Sequence, residues 1–130
     1  MPMSINYKVV ARRNPSDRNA DPKYYASVNS KGTRSQRFIA KQIAERSSLN
    51  EMDILSVIEG FLQIVPECLA DGYSVGLGEF GKFSVNAKSK PTETEEAFNA
   101  GNIEGVRPNF RPGKLFVKEL SKLDYKKISE

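Results

Sequence analysis

The sequence predicts an α+β fold, and three patterns along the chain carry that prediction. Residues 4–13 alternate between apolar and polar types with period two, which is typical of a half-buried strand. Residues 51–70 place apolar side chains around much of a helical circumference, which indicates a long helix buried on several sides. Leu77–Phe83 has two glycines three residues apart and two phenylalanines three residues apart, which favours a tight turn between short strands beside a core.

The first two predicted elements form an N-terminal β-hairpin. The alternating segment leads into a polar loop that contains Pro15 and Pro22, and residues 23–28 follow as a second strand. A two-stranded hairpin is not stable alone, so we expect it to pack on the rest of the chain.

Two helices are predicted next. Ser35 is a plausible N-cap for a helix through about Arg46, and Asn50 is the predicted N-cap of the second helix. That helix should kink at Pro66 and stop at Asp71-Gly72. Its apolar residues cover far more than one stripe, so in a chain of this size a second subunit is expected to supply the missing wall.

The remaining elements alternate strands with polar segments. Strands are predicted at residues 73–77, 81–87 and 103–110, with a polar stretch at 88–102. A short helix is predicted from Leu115 to about Leu123, and residues 124–130 carry little pattern. The predicted division is therefore a hairpin extension at 1–34, a main domain at 35–123 and a tail at 124–130.

The charge and the cysteine content of the chain limit which partners and which cellular compartment are expected. The 130 residues carry a net charge of +4, but residues 1–34 hold +5 and residues 35–130 hold −1. A basic excess predicts a polyanionic partner, and the alternative is a solvated surface. A single cysteine, without any apolar run long enough for a signal peptide or a membrane span, predicts a cytoplasmic protein and no membrane partner.

The same inventory argues against catalysis. The chain has no histidine, which removes histidine-based acid–base and metal chemistry. It also lacks a phosphate-cradling glycine loop and a nucleophile motif. We therefore expect no enzyme activity, no cofactor and no small-molecule substrate.

Leu77–Phe83 and Arg107–Lys114 together resemble segments of the HU/IHF family of histone-like bacterial DNA-binding proteins. Leu77–Phe83 is similar to the family's Gly-Phe-Gly-x-Phe turn, and Arg107–Lys114 to its x-Pro-x-Phe-Lys/Arg-x-Gly-Lys segment. The resemblance covers residues 35–123, and the added hairpin resembles a longer HU-like variant with an N-terminal extension. It implies an intertwined homodimer with a two-helix base, a three-stranded antiparallel saddle, β-arms and a C-terminal helix, although a heterodimer stays open. It also implies a nucleoid protein that bends double-stranded DNA with little sequence preference, which is the family's known mechanism.

The resemblance and the positive charges give a set of predicted DNA-binding residues. Gly113 and Lys114 lie at a helix start, where free backbone N–H groups and a cation can meet a phosphate together. The other members lie on the predicted sheet, the arm or the strand that returns from it. The full predicted set is Lys82, Lys88, Lys90, Pro91, Arg107, Arg111 and Lys114.

The predicted arm departs from the family pattern. It is shorter, and Pro91 is followed by three carboxylates, Glu93, Glu95 and Glu96, which we call the acidic triplet. Carboxylates near phosphates repel them, so the alternative to DNA contact is a short solvated loop. The resemblance implies an arm tip that reads Arg-Asn-Pro, with the proline as the wedge between bases. In this chain that sequence occurs instead at residues 13–15, where it is either a further DNA contact or simply a turn.

A second function class also fits the sequence. An HU-like dimer with short acidic arms is also compatible with a protein-interaction module that has weak or no DNA binding. Salt-dependent binding to DNA distinguishes the two classes.

Overall fold

The computed structural model describes residues 3–128 and confirms a mixed α+β fold. The elements in chain order are β1 (Met3–Arg12), β2 (Lys23–Asn29), α1 (Gln36–Glu45), α2 (Glu51–Ala70), β3 (Val75–Gly76), β4 (Gly81–Ser89), β5 (Ile103–Pro112), α3 (Lys114–Leu120) and β6 (Leu123–Lys127). Short 3₁₀ turns lie at Gly78–Phe80 and Ala100–Asn102.

The chain packs as two compact units. The hairpin unit contains the residues up to Ser35 together with those from Lys118 onward, and the central unit is Gln36–Val117. Each unit has its own three-stranded sheet, with strand order β2-β1-β6 in the hairpin unit and β3-β4-β5 in the central unit.

The sheet of the hairpin unit contains one strand that the sequence pattern did not indicate. β1 pairs with β2 antiparallel, from Asn6 opposite Asn29 to Arg12 opposite Lys23. β6 pairs with β1 in parallel, and the Ile128 N–H extends this pairing by donating to the Tyr7 carbonyl at 3.0 Å. The tail, which has little pattern apart from Tyr125 and Ile128 as residues that could dock, is therefore an edge strand. A short charged strand of this kind gains its order from pairing with β1 and not from its own pattern.

Helix α2 begins and ends as its capping residues predict. The Asn50 side chain accepts from the Asp53 N–H at 2.8 Å, which satisfies one free donor of the first turn. At the other end, the Gly72 N–H donates to Leu69 and the Tyr73 N–H donates to Cys68, at 3.1 and 3.0 Å. This pair of bonds is a Schellman motif, which closes the last turn.

The pair of helices buries few side chains within the chain. Among the described residues the buried apolar side chains are Ala40, Ile54 and Val65. Val57, Phe61 and Ile64 follow one face of α2 at helical spacing, and they remain 68%, 42% and 58% exposed. The face formed by these three residues, which we call the open face of α2, is thus left uncovered by its own chain.

The two segments that carry the family resemblance pack against each other. The Gly113 N–H donates to the Phe80 carbonyl at 2.9 Å. A Cβ on Gly113 would overlap the Glu79 carbonyl, and a Cβ on Gly81, where φ is +148°, would lie 2.6 Å from the Arg111 carbonyl. Only glycine permits so close an approach of two backbones. Both glycine motifs therefore act structurally, by joining the turn to the end of β5.

Aromatic rings fill the space beside this junction. The Phe83 and Phe110 rings have centroids 4.7 Å apart, and the Phe80 and Phe116 rings are 4.8 Å apart. These are favourable tilted and edge-to-face contacts. Phe80, Phe83 and Phe110 thus pack together in this cluster, whereas Phe61 is on the open face of α2.

Candidate nucleic-acid interface

The sheet of the central unit has one apolar face and one polar face. Side chains alternate between the faces of a strand, and residues directly opposite on paired strands share a face. The apolar face pairs Phe83 with Phe110, Val85 with Pro108 and Ala87 with Val106. The other face, which we call the saddle face, pairs Lys82 with Arg111, Ser84 with Asn109, Asn86 with Arg107 and Lys88 with Gly105.

The saddle face brings together four of the seven predicted DNA-binding residues. These are Lys82, Lys88, Arg107 and Arg111, and all four are exposed. Between the cations are short polar side chains that can donate hydrogen bonds without filling the surface. A concave site of about 250 Å³ is lined by Ser74, Lys82, Ser84, Asn86, Asn109 and Arg111.

Two of the cations face each other directly. Lys82 and Arg111 are cross-strand partners, and like charges in this position destabilise a sheet. An anion bound between them would remove that repulsion. Lys88 instead approaches the Glu104 carboxylate at 3.9 Å, and both side chains are partly exposed, so this pair contributes little to stability.

Lys90 and Pro91 lie beyond the saddle face, at the base of a loop. The Lys90 N–H donates to the Asn102 carbonyl at 2.8 Å, which extends the β4–β5 pairing by one hydrogen bond. Pro91 comes directly after this bond, and the acidic triplet occupies the middle of the loop between Pro91 and Asn102. The loop contains internal bonds of its own, including one from the Ala97 N–H to the Thr94 hydroxyl at 3.2 Å. The residues farthest along the chain from the strands are therefore acidic, and the proline is close to them.

Lys114 is the first residue of α3 and is exposed. The expectation of a free backbone donor beside it is wrong for Gly113, because that N–H already donates to Phe80. Lys114 can therefore offer a phosphate its charge, but not the neighbouring N–H of Gly113.

Three residues of the saddle face were missed by reasoning from charge alone. Ser84, Asn86 and Asn109 lie between the cations. The signal for two of them is present in the sequence, since residues 82–87 alternate polar and apolar types. Asn109 could be placed only once the register between β4 and β5 was known.

Other kinds of site receive no support from the described part of the chain. Within residues 3–128, no helix combines the length and apolar character needed to cross a membrane. The same residues contain no group of three or more potential ligands arranged to hold a metal ion.

Comparisons with known proteins agree with the resemblance seen in the motifs. Residues 3–127 match the model of the HU-HIG family, described as an HU domain fused to wHTH, Ig, or Glycine-rich motif. The DNA-binding protein HU of Thermus thermophilus is 28% identical over 90 residues, which cover 65% of this chain and 89% of that protein.

Two solved structures share the fold. A candidate bacterial DNA-binding protein from Bacteroides vulgatus superposes with a TM-score of 0.67 at 13% identity over 98% of this chain. The chain spans only about half of that protein, 49% of its length. HU of Anabaena, in a cocrystal structure with DNA, superposes with a TM-score of 0.52 at 20% identity over 68% of this chain and 98% of that one.

The match of the family model over residues 3–127 includes the hairpin unit as well as the central unit. The glycine junction and the saddle face described above lie within the matched range. This chain belongs to the HU-HIG family of HU-type histone-like proteins.

Proposed function

We propose that this protein is an architectural DNA-binding protein that binds double-stranded DNA through the saddle face. The observation that carries the proposal is the alignment of Lys82, Lys88, Arg107 and Arg111 on one exposed face of β4 and β5. Relatives whose names specify HU or DNA binding support it. Lys114 adds a cation next to the same strand end.

The chemistry of the saddle face favours weak sequence preference. Lysine and arginine contact phosphates, which are the same at every base pair. Ser84, Asn86 and Asn109 are short side chains on a sheet. Sequence discrimination would then come mainly from how easily a given DNA deforms.

We further propose that the protein acts as a homodimer. The open face of α2 exposes three apolar side chains in succession, next to the buried Ile54 and Val65. Removing apolar surface from water contributes about 25 cal/mol per Å². A second copy that packs its own α2 in the same place would bury both open faces and complete the core.

We also propose that the protein bends the DNA it binds. In this proposal it is located in the cytoplasmic nucleoid and acts without enzyme activity or a cofactor. Minor-groove architectural proteins such as HU and IHF kink DNA with apolar wedges on their arms. In this chain the β4–β5 loop carries Lys90 and Pro91 beside the acidic triplet. Contact of the loop with DNA is therefore expected to be weaker than contact of the saddle face.

The test is the affinity for a mixed-sequence duplex as the salt concentration is raised. If four cations in each of two chains neutralise one phosphate each, log K should fall against log salt with a slope of about −7. A bend should appear as increased energy transfer between dyes at the duplex ends. Absence of binding even at low salt would refute the proposal and favour the protein-interaction alternative.

A further inference from the structure

We propose that the hairpin unit carries a second binding surface for DNA phosphates, centred on Arg12 and Lys23. This inference rests on the proposed function, because it extends the contact with the same ligand to a second sheet. The surface is one face of the β2-β1-β6 sheet together with the loop between β1 and β2.

Charge is concentrated on the hairpin unit and not on the central unit. The hairpin unit contains eleven Lys and Arg and five Asp and Glu, so its net charge is +6. The central unit contains nine Lys and Arg and eleven Asp and Glu, so its net charge is −2. A polyanion is therefore attracted more strongly to the hairpin unit than to the unit that holds the saddle face.

One face of the hairpin-unit sheet carries much of this charge. Alternation and register place Lys8, Arg12, Lys23 and Lys126 on the face that also holds Tyr25. On the opposite face, Ile5, Tyr7, Ala26, Val28 and Tyr125 line an apolar groove. The register also places Lys127 on that face and Asp124 on the face of Arg12. Like the sheet of the central unit, this sheet therefore has one face with an excess of cations and one mainly apolar face.

The arrangement of Arg12 and Lys23 repeats the feature seen at the saddle. The two residues are direct cross-strand partners, as Lys82 and Arg111 are in the central unit. Opposed like charges cost stability in the absence of an anion. Both pairs also line concave sites, with a volume of about 480 Å³ at Arg12 and Lys23.

The lining of this second concave site is suited to an extended anion. Arg13 joins Arg12 and Lys23, and Asp21 contributes the one opposing charge, so the lining has a net charge of +2. The Arg12 guanidinium lies 5.9 Å from the centre of the Tyr25 ring, which limits its freedom without neutralising it. Within residues 3–128, none of the three cations forms an ion pair.

Asn14 and Pro15 form a turn in the loop between β1 and β2. The Asn14 side chain accepts from the Ser16 N–H at 2.9 Å, and the Asn14 carbonyl accepts from the Asp17 N–H at 3.1 Å. The dipeptide is therefore a turn, as its type favours. The proposed DNA contacts come from the cations on either side of the loop and not from this proline.

The experiment compares three double variants of the full chain with the wild-type protein on one mixed-sequence duplex over a range of salt. Arg12→Gln with Lys23→Gln removes the proposed contacts, and Lys118→Gln with Lys122→Gln removes two charges of the same unit that lie outside the strands of this sheet. Arg12→Lys with Lys23→Arg keeps the charge. If each of the two cations contacts one phosphate in both chains of a dimer, the first variant should flatten the salt slope by about 3.6. The second should change it by less than one, and the third should keep the wild-type slope.

The outcomes separate this inference from the proposed function. Equal slopes for the first two variants, with the salt slope still flattened by neutralising Lys82 and Arg111, would overturn the second surface and leave the saddle intact. The second surface would also be overturned if the Arg12→Gln, Lys23→Gln variant lost wild-type binding to phosphatidylserine vesicles but kept the wild-type salt slope on DNA. That result would favour a membrane as the partner of this surface. Failure of the wild-type protein to bind DNA would overturn both. A thermal midpoint at or above the wild-type value would show that the first variant folds, as removal of two opposed like charges predicts.

Discussion

Replacing both Lys82 and Arg111 by glutamine should weaken DNA binding while leaving the fold slightly more stable. The two residues are opposite each other on β4 and β5, on the exposed saddle face. Their Cβ atoms are therefore expected to be about 5 Å apart, close enough for the charges to repel. Glutamine keeps a similar length and polarity but removes both charges.

The two effects have opposite signs, and each has a calculable size. Relief of a like-charge cross-strand pair should raise the free energy of unfolding by roughly 0.2–1 kcal/mol. Each phosphate contact contributes about 0.9 to the salt slope, which corresponds to about eightfold in affinity at 0.1 M salt. Two residues in each of two chains would make four contacts, so the slope should flatten by about 3.6 and affinity should fall by roughly 4 × 10³-fold.

The assay is a fluorescence anisotropy titration of a mixed-sequence duplex at several salt concentrations, with thermal unfolding measured in parallel. Lys41→Gln with Arg46→Gln is the matched control, because both residues are exposed cations of the central unit outside its sheet. The control removes the same charge and should change the slope by less than one.

Two results would contradict this reasoning. If the control flattened the slope as much as the saddle variant, binding would depend on total charge and not on the saddle face. If the saddle variant unfolded at a lower temperature than the wild type, the pair would have a structural role that its opposed charges do not explain.

Three further predictions follow from the same structure. Phe61→Glu on the open face of α2 should convert the proposed homodimer to monomer in sedimentation experiments, whereas Met52→Glu, on the opposite side of the helix and 73% exposed, should not. Gly81→Ala should lower the free energy of unfolding by about 3 kcal/mol, because the strain of a positive φ adds to overlap of the new Cβ with the Arg111 carbonyl. Gly72→Ala should lower it by about 1 kcal/mol, because φ is positive there but the space around the Cβ is open. Changing the acidic triplet to glutamines should raise DNA affinity if the loop comes within about 8 Å of phosphates, and unchanged affinity would show that the loop stays away from DNA.

Local chemistry in the sequence was sufficient to predict α1, α2 and the first hairpin strands, whereas α3 ends at Leu120 and not at about Leu123, where β6 begins. Asn50 and Asp71-Gly72 mark the ends of α2 because capping depends on residues within a few positions of each end. The alternation in residues 4–13 predicts β1 because successive side chains of a strand point to opposite faces of the sheet, so a half-buried strand alternates apolar and polar residues.

Long-range pairing could not be predicted in the same way. β6 has little pattern of its own and is defined by its parallel register with β1, more than 100 residues earlier in the chain. The Gly113 N–H was expected to be free because the contact that occupies it comes from Phe80, over thirty residues away. Both differences arise because a partner distant in sequence satisfies backbone groups that local reasoning leaves open.

The distribution of positive charge also differs between the sequence and the folded chain. Read along the chain, the basic excess belongs to residues 1–34, at +5. In the folded chain β6 and the residues before it join that segment, and the hairpin unit reaches +6 while the central unit falls to −2. A central unit of negative net charge would attract DNA mainly through the local field of the saddle face, because its eleven acidic residues outnumber its nine cations. The hairpin unit keeps an excess of six positive charges, because its five acidic residues cancel only part of its eleven cations. The saddle face is therefore suited to holding DNA at short range, and the hairpin unit to attracting it from farther away.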